Sequence, residues 1–189
     1  MTVDECQFYL EEEWGERCDY GSILYFATHG GPGEIWLSGK PGEPRGQVVT
    51  LDTLSAWGVN CRDSIVHFGG CGVFAKDGEA KVRSFIKKSG AAYASGYAVD
   101  VDWLDARKPP ALALELMYFG TVSAIQVDMS KGTHATRMRN LAQELRTRFN
   151  SEDRSQTCEF RLQDWWSVTR PPSSPWQNWL LSQEARTSE

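Results

Sequence analysis

The chain has no apolar stretch long enough to span a bilayer. Its N-terminus, Met1-Thr2-Val3-Asp4-Glu5, lacks the basic and apolar regions of a secretory signal. Internal repeats and low-complexity tracts are absent. Cysteines are few (6, 18, 61, 71 and 158), odd in number and never in C-x-x-C spacing, which argues against a disulfide framework. Cys61, His67 and Cys71 lack the paired spacing of zinc modules, so no metal and no cofactor is expected. Positive charge is also short: 20 Lys and Arg against 25 Asp and Glu give a net charge of −5. That removes the electrostatic reason to expect nucleic acid or an anionic membrane as a partner. A cytoplasmic protein is the expectation.

What remains is ordinary globular material. With 189 residues, 41% apolar and 24% charged, the chain can bury one core of domain size and is not disordered. Cys6, Tyr9, Leu10 and Trp14 recur at helical spacing and predict an amphipathic helix from Asp4 to about Cys18, ended by Asp19-Tyr20-Gly21. Ile23 to Ala27 is a continuous apolar run, as for a strand buried on both faces, and it stops at Thr28-His29-Gly30-Gly31-Pro32-Gly33. Ile35-Trp36-Leu37 and Val48 to Leu51 flank a Gly- and Pro-rich loop, Gly39 to Gly46, and suggest a hairpin. A short helix is expected from Asp52, as N-cap, to Gly58.

A second buried strand, Ser64 to Phe68, halts at Gly69-Gly70-Cys71-Gly72. Val82, Phe85 and Ile86 mark a helix closed by Gly90, and Ala91 to Ala94 read as a third strand ending at Ser95-Gly96. Helices follow over about 111–119 and around Met138, Leu141, Leu145 and Phe149, then an edge strand from Cys158 to Leu162. Buried strands alternating with helices imply an α/β sandwich around a mainly parallel sheet.

Two of these strands end in glycine-rich turns, and each turn carries a residue suited to thiol chemistry, His29 or Cys71. Ligands of open α/β sheets bind beyond the C-terminal strand ends. The glycines let a substrate backbone approach and leave amides free for an oxyanion. Taken alone, Cys71 reads as a buried thiol and His29 as a loop histidine; their joint placement points to one shared crevice. His67, inside a strand, reads as a core histidine or one that supports a site from behind, and His134 as a surface residue.

The runs Ile23-Leu24-Tyr25-Phe26-Ala27-Thr28-His29-Gly30 and Ser64-Ile65-Val66-His67-Phe68-Gly69-Gly70-Cys71-Gly72 resemble the caspase-like cysteine peptidases: caspases, metacaspases, gingipains and the bacterial CHAT group. Bacterial members are the nearest likeness. Caspases also place the histidine roughly 50 residues before the cysteine. The resemblance spans roughly residues 4 to 120. It implies a three-layer caspase-like sandwich in which Cys71 attacks a peptide carbonyl and His29 manages the proton. It also implies an oxyanion hole from the amides of Gly30 and Cys71, with the thiolate favoured by the imidazolium and a helix N-terminus. The implied activity is cysteine endopeptidase, in a bacterial defence or cell-death pathway, with a protein or peptide substrate and room for an activating or regulatory protein partner.

The chain also departs from the family pattern. Gly69 stands where caspases carry a substrate-binding glutamine, and the run Asp100-Val101-Asp102-Trp103-Leu104-Asp105 is acidic where caspases are basic. With Gly69, the residues Asp100, Asp102 and Trp103 are the candidate substrate contacts, and their charge favours Arg or Lys before the cut. The opposing reading has these carboxylates capping a helix or facing solvent.

The usual first strand is missing: the chain is a compact variant, starts downstream of a longer protein, or has its sheet completed by another chain. Residues 1–162 form the expected peptidase domain. Residues 163–189 form a tail with Trp165, Trp166, Trp176 and Trp179, packed on the core or docking a partner. Two rival functions stand beside peptidase: a catalytically silent partner-binding module, and a thiol hydrolase of non-peptide acyl groups.

Overall fold

The structure is a computed structural model, and it describes residues 1–17, 22–38, 46–101, 115, 118–120, 122, 140 and 160–164. Outside these lie several expectations: the helix end at 18–21, most of the loop 39–46, Asp102, Trp103, His134, the helix around 138–149, Cys158 and the tail beyond Asp164.

Thr2 opens the first helix with a reciprocal cap. Its Oγ1 accepts from the Glu5 amide at 3.3 Å, and its own amide donates to Glu5 Oε2 at 2.7 Å. Helix α1 (Val3–Phe8) continues through a π-helical stretch, Tyr9–Trp14, into α2 (Gly15–Arg17). Cys6, Leu10 and Trp14 are buried and Tyr9 is exposed, so the apolar stripe is the four-residue one. Trp14 Nε1 donates to the Asn60 carbonyl at 3.0 Å, tying the helix to the body.

Two sheets follow. The first contains β1 (Ile23–Phe26), β5 (Ile65–Phe68), β6 (Tyr93–Tyr97) and β7 (Phe160–Asp164), in the order β1-β5-β6-β7. β1, β5 and β6 are parallel and β7 is antiparallel. The second is antiparallel, β2-β3-β4, from β2 (His29–Gly31), β3 (Glu34–Leu37) and β4 (Gln47–Thr50). The expected hairpin is β3–β4. Helices α3 (Leu51–Ala56) and α4 (Glu79–Ser89) complete the described elements.

On one face of the parallel sheet, Leu24, Phe26, Val66, Phe68 and Ala94 join Cys6, Leu10, Trp14, Leu54, Val82, Phe85 and Ile86 in a single apolar cluster. The opposite face carries Tyr25, His67, Ser95 and Tyr97, against which Glu115, Tyr118 and Phe119 pack. Helical residues thus lie on both faces of a mainly parallel sheet, a mixed α/β architecture. Among the described residues, no helix is long and apolar enough to cross a membrane.

Several boundaries differ from the sequence reading. β1 is not buried on both faces: Leu24 and Phe26 are buried, but Ile23 and Tyr25 are partly exposed. Among the described strands it ends the sheet order, with β5 on one side, and an apolar run does not by itself report a strand's place in a sheet. Thr50, not Asp52, caps α3, its Oγ1 accepting from the Thr53 amide at 3.1 Å; Asp52 sits in the first turn. β6 runs on through Ser95 and Gly96 to Tyr97, because β7 pairs along its whole length. β7 itself reaches Asp164, so the domain boundary drawn at 162 falls inside a strand. Gly90, left-handed at φ 74°, closes α4 as expected.

Candidate functional site

The parallel register fixes where the two candidate catalytic residues emerge. Phe26 of β1 pairs with Phe68 of β5, and their rings stack at 5.2 Å between centroids, 6° from parallel. His29 is the third residue beyond Phe26, and Cys71 the third beyond Phe68. Neighbouring strands lie about 4.8 Å apart, so both leave the same sheet edge side by side.

The two strand ends then press together. A Cβ on Gly70 would stand 2.9 Å from the Thr28 carbonyl oxygen, 3.0 Å from the His29 carbonyl carbon and 3.0 Å from the Gly30 nitrogen. Only glycine permits that approach. A Cβ on Gly30 would in turn meet the Cys71 carbonyl oxygen at 3.1 Å. The backbones of His29-Gly30 and Gly70-Cys71 are therefore neighbours. This brings together the backbones of the three residues singled out for catalysis and the oxyanion, His29, Gly30 and Cys71, with Gly69 at the start of the turn.

His29 is not in a loop, as the sequence suggested, but opens β2 opposite Trp36 of β3. The glycines beside it are strand residues here because the chain reverses at Pro32-Gly33 and pairs back on itself. The imidazole is exposed and Cys71 is half-buried. Cys71 Sγ sits against the backbone of Val101: the thiol donates to the Val101 carbonyl at 3.5 Å and accepts from the Val101 amide at 3.3 Å. Among the described residues, no hydrogen bond joins Cys71 to His29.

The expected helix N-terminus at Cys71 is not there. Residues 71–78 form successive turns, and α4 opens only at Glu79 with Gly78 as its cap. Cys71 is therefore not in the first turn of α4, where a helix dipole acts most strongly.

Of the acidic segment, Asp100 is described: it is exposed and adjoins Val101, on the Cys71 side of the crevice. Asp102 and Trp103 lie outside the described residues. On the His29 side is a cleft of about 510 Å³, lined by Tyr25, Ala27, Thr28, His29, Trp36 and Leu37 among others. Among the described residues, no cluster of three or more His, Cys, Asp and Glu side chains could hold a metal ion.

Sequence reasoning missed the polar cluster behind the crevice. Tyr25, His67 and Ser95 lie in one register row across β1, β5 and β6. His67 is fully buried, with Nδ1 2.8 Å from Ser95 Oγ and Nε2 3.0 Å from Glu115 Oε1. Glu115, 4% exposed, also accepts from Tyr97 at 2.9 Å and, through Oε2, from Tyr25 at 2.8 Å. Ser95 Oγ donates onward to the Tyr118 hydroxyl at 2.8 Å.

Burial pushes the Tyr25 hydroxyl above its ordinary value, and Glu115 pushes the same way by hydrogen bond and charge. Burial likewise raises Tyr93 and Tyr118. His67 is thus the core histidine expected. A visible signal for its partner was a lone carboxylate, Glu115, inside the apolar run Ala111 to Phe119. No protein-family model, no curated protein and no solved structure matches the chain.

Proposed function

We propose that the protein is a cysteine endopeptidase of the caspase-like kind, with Cys71 as nucleophile and His29 as its proton-handling partner. The observation that carries this reading is the register of Phe26 with Phe68, which sets a histidine and a cysteine at equivalent positions beyond adjacent parallel strands. In the reaction, Cys71 attacks the scissile carbonyl as thiolate, forming an acyl-enzyme, and His29 protonates the departing amine. Water then attacks the thioester, and His29 takes its proton. The amides of Gly30 and Cys71 are the oxyanion donors; one such donor contributes about 3 kcal/mol of transition-state stabilisation. Asp100, with Asp102 and Trp103, favours Arg or Lys before the cut. Bacterial defence or cell death is the pathway class the family likeness suggests.

The test is a mass-spectrometric digest of a proteome-derived peptide library, comparing the native protein with Cys71→Ala. Cuts after Arg or Lys that vanish in the variant support both the dyad and the acidic pocket. Cuts after other residues keep the dyad and discard the pocket. Cuts that persist in Cys71→Ala refute the dyad.

A second reading, a silent module that binds a partner, is favoured by one observation. The hydrogen bonds that the described Cys71 thiol makes go to Val101, not to His29. Resting cysteine–histidine pairs are often loosely aligned, so this alone does not displace the first reading. An active-site probe that alkylates Cys71 no faster than a free thiol would favour it.

A further inference from the structure

The cleft beside His29 differs in chemistry from the acidic segment beside Cys71. Of its described lining residues none is acidic, and two, Tyr25 and Trp36, are large aromatics, beside Met1 and Leu37. Trp36 faces His29 directly across the β2–β3 ladder. Side chains at such opposed positions project on the same side, with Cβ atoms about 5 Å apart. The indole is 46% exposed, and its N–H is already spent on Glu34 Oε1 at 2.9 Å, so it offers apolar surface.

Tyr25 is held on three sides. One ring face stacks on His67 at 5.2 Å and 11°, its edge meets Phe119, and its hydroxyl is fixed by Glu115. The ring lies close over Gly69, where an added Cβ would be 2.8 Å from the Tyr25 hydroxyl oxygen. Its remaining surface is open, leaving the residue 38% exposed. A rigid aromatic wall with one free face, beside an apolar indole, is a side-chain pocket rather than a scattering of surface residues. The cleft volume of about 510 Å³ suits a large side chain with its flanking backbone.

We propose that this cleft is the subsite for a large apolar or aromatic side chain in the leaving fragment of a peptide substrate. The inference rests on the dyad reading, because the group that protonates the departing amine must stand on the leaving-fragment side of the scissile bond. His29 stands at the cleft wall, and Asp100 stands near Cys71 on the other side. The residue before the cut and the residues after it are therefore read by adjoining surfaces, one acidic and one aromatic, that meet at Gly69 beneath the Tyr25 ring. Glu115 and His67 are positioning residues, acting through Tyr25.

Two measurements test it. In the peptide-library digest, Phe, Tyr, Trp and Leu are enriched at the first two positions after the cut. Trp36→Ala removes the enrichment, on the order of 10-fold in relative kcat/KM against Ser at that position. It leaves the preference before the cut and the melting temperature unchanged. Tyr25→Phe keeps the ring but frees it from Glu115, so the same enrichment weakens. A native digest with no enrichment after the cut, or an enrichment that survives Trp36→Ala, overturns the proposal.

The second measurement is independent of turnover. The Cys71→Ala protein, ¹⁵N-labelled on indole, is titrated with capped peptide amides carrying Phe or Ser. The Trp36 resonance moves with the Phe peptide and not with the Ser peptide. Absence of that shift overturns the subsite even in an active peptidase. A shift when the native protein never cleaves overturns the assignment to a leaving fragment together with the peptidase reading, and leaves the cleft as a binding site for apolar side chains.

Discussion

The carboxylate of Glu115 lies 3.0 Å from His67 Nε2 in a setting withdrawn from water, and it also accepts hydroxyls from Tyr25 and Tyr97. One acidic side chain thus ties β1, β5 and β6 together on the face away from the main apolar cluster. The row it closes, Tyr25-His67-Ser95, lies one residue before the paired ends Phe26 and Phe68. The cluster therefore braces the strand ends from which His29 and Cys71 emerge.

Removing that carboxylate leaves the buried Nε2 of His67 without its partner, while Nδ1 keeps Ser95. Glu115→Ala is expected to lose about 1–3 kcal/mol in urea unfolding, the range for leaving buried hydrogen-bonding groups unsatisfied. Glu115→Gln, which keeps the shape and one acceptor, should lose less. Equal losses would mean that the carboxylate's polar contacts, not packing, set the value of this site.

Raising the pH should destabilise the fold through the tyrosines. The folded state pushes Tyr25, Tyr93 and Tyr118 above their ordinary value of 10.0, with burial as the main cause. It therefore binds these protons more tightly than the unfolded chain does. Below about pH 10 both states are protonated and the contribution is constant. Above it the unfolded chain deprotonates first, so stability falls as pH rises. The urea midpoint, followed from pH 8 to 11, should drop beyond 10, and less steeply in Tyr118→Phe.

Gly70→Ala tests the contact between the strand ends. Its Cβ meets the backbone at 2.9–3.0 Å, and backbone cannot move aside as a flexible side chain can. The expected cost is about 1–3 kcal/mol, as for overpacking, with peptide turnover lost as His29 and Cys71 are pushed apart. Unchanged stability would show that the two turns are not in contact.

Cys71→Ala and His29→Ala should each abolish turnover while leaving the thermal midpoint close to native, since both side chains stand at the sheet edge rather than in the core. Phe85→Ala, in the centre of the buried cluster, should instead cost about 3–5 kcal/mol. Val48→Ala, on an exposed face, should change stability by at most about 0.5 kcal/mol.

Much of this could be read from the residues. The run Ser64 to Phe68 is apolar enough, and short enough, to be a strand buried on both faces, and it is. Gly90 after Val82, Phe85 and Ile86 marks a helix end because only a residue without Cβ takes that conformation cheaply. Ile23 to Phe26 is as apolar, yet its alternate residues Ile23 and Tyr25 are partly exposed. Apolarity says that a strand can be buried, whereas its position at the end of the sheet order decides how far it is.

The residues alone mark β1, β5, the β3–β4 hairpin and helix α4, and they put a histidine and a cysteine just past two strand ends, but they do not mark β2. Those features are local, set by side-chain periodicity and by glycine. Tertiary contacts alone make β1 and β5 neighbours in a register aligning His29 with Cys71, set Trp36 opposite His29, and bring Glu115 to His67. Each joins residues far apart in the chain, and pairing of that kind is fixed by which faces can be buried together, a property of the whole fold and not of any segment.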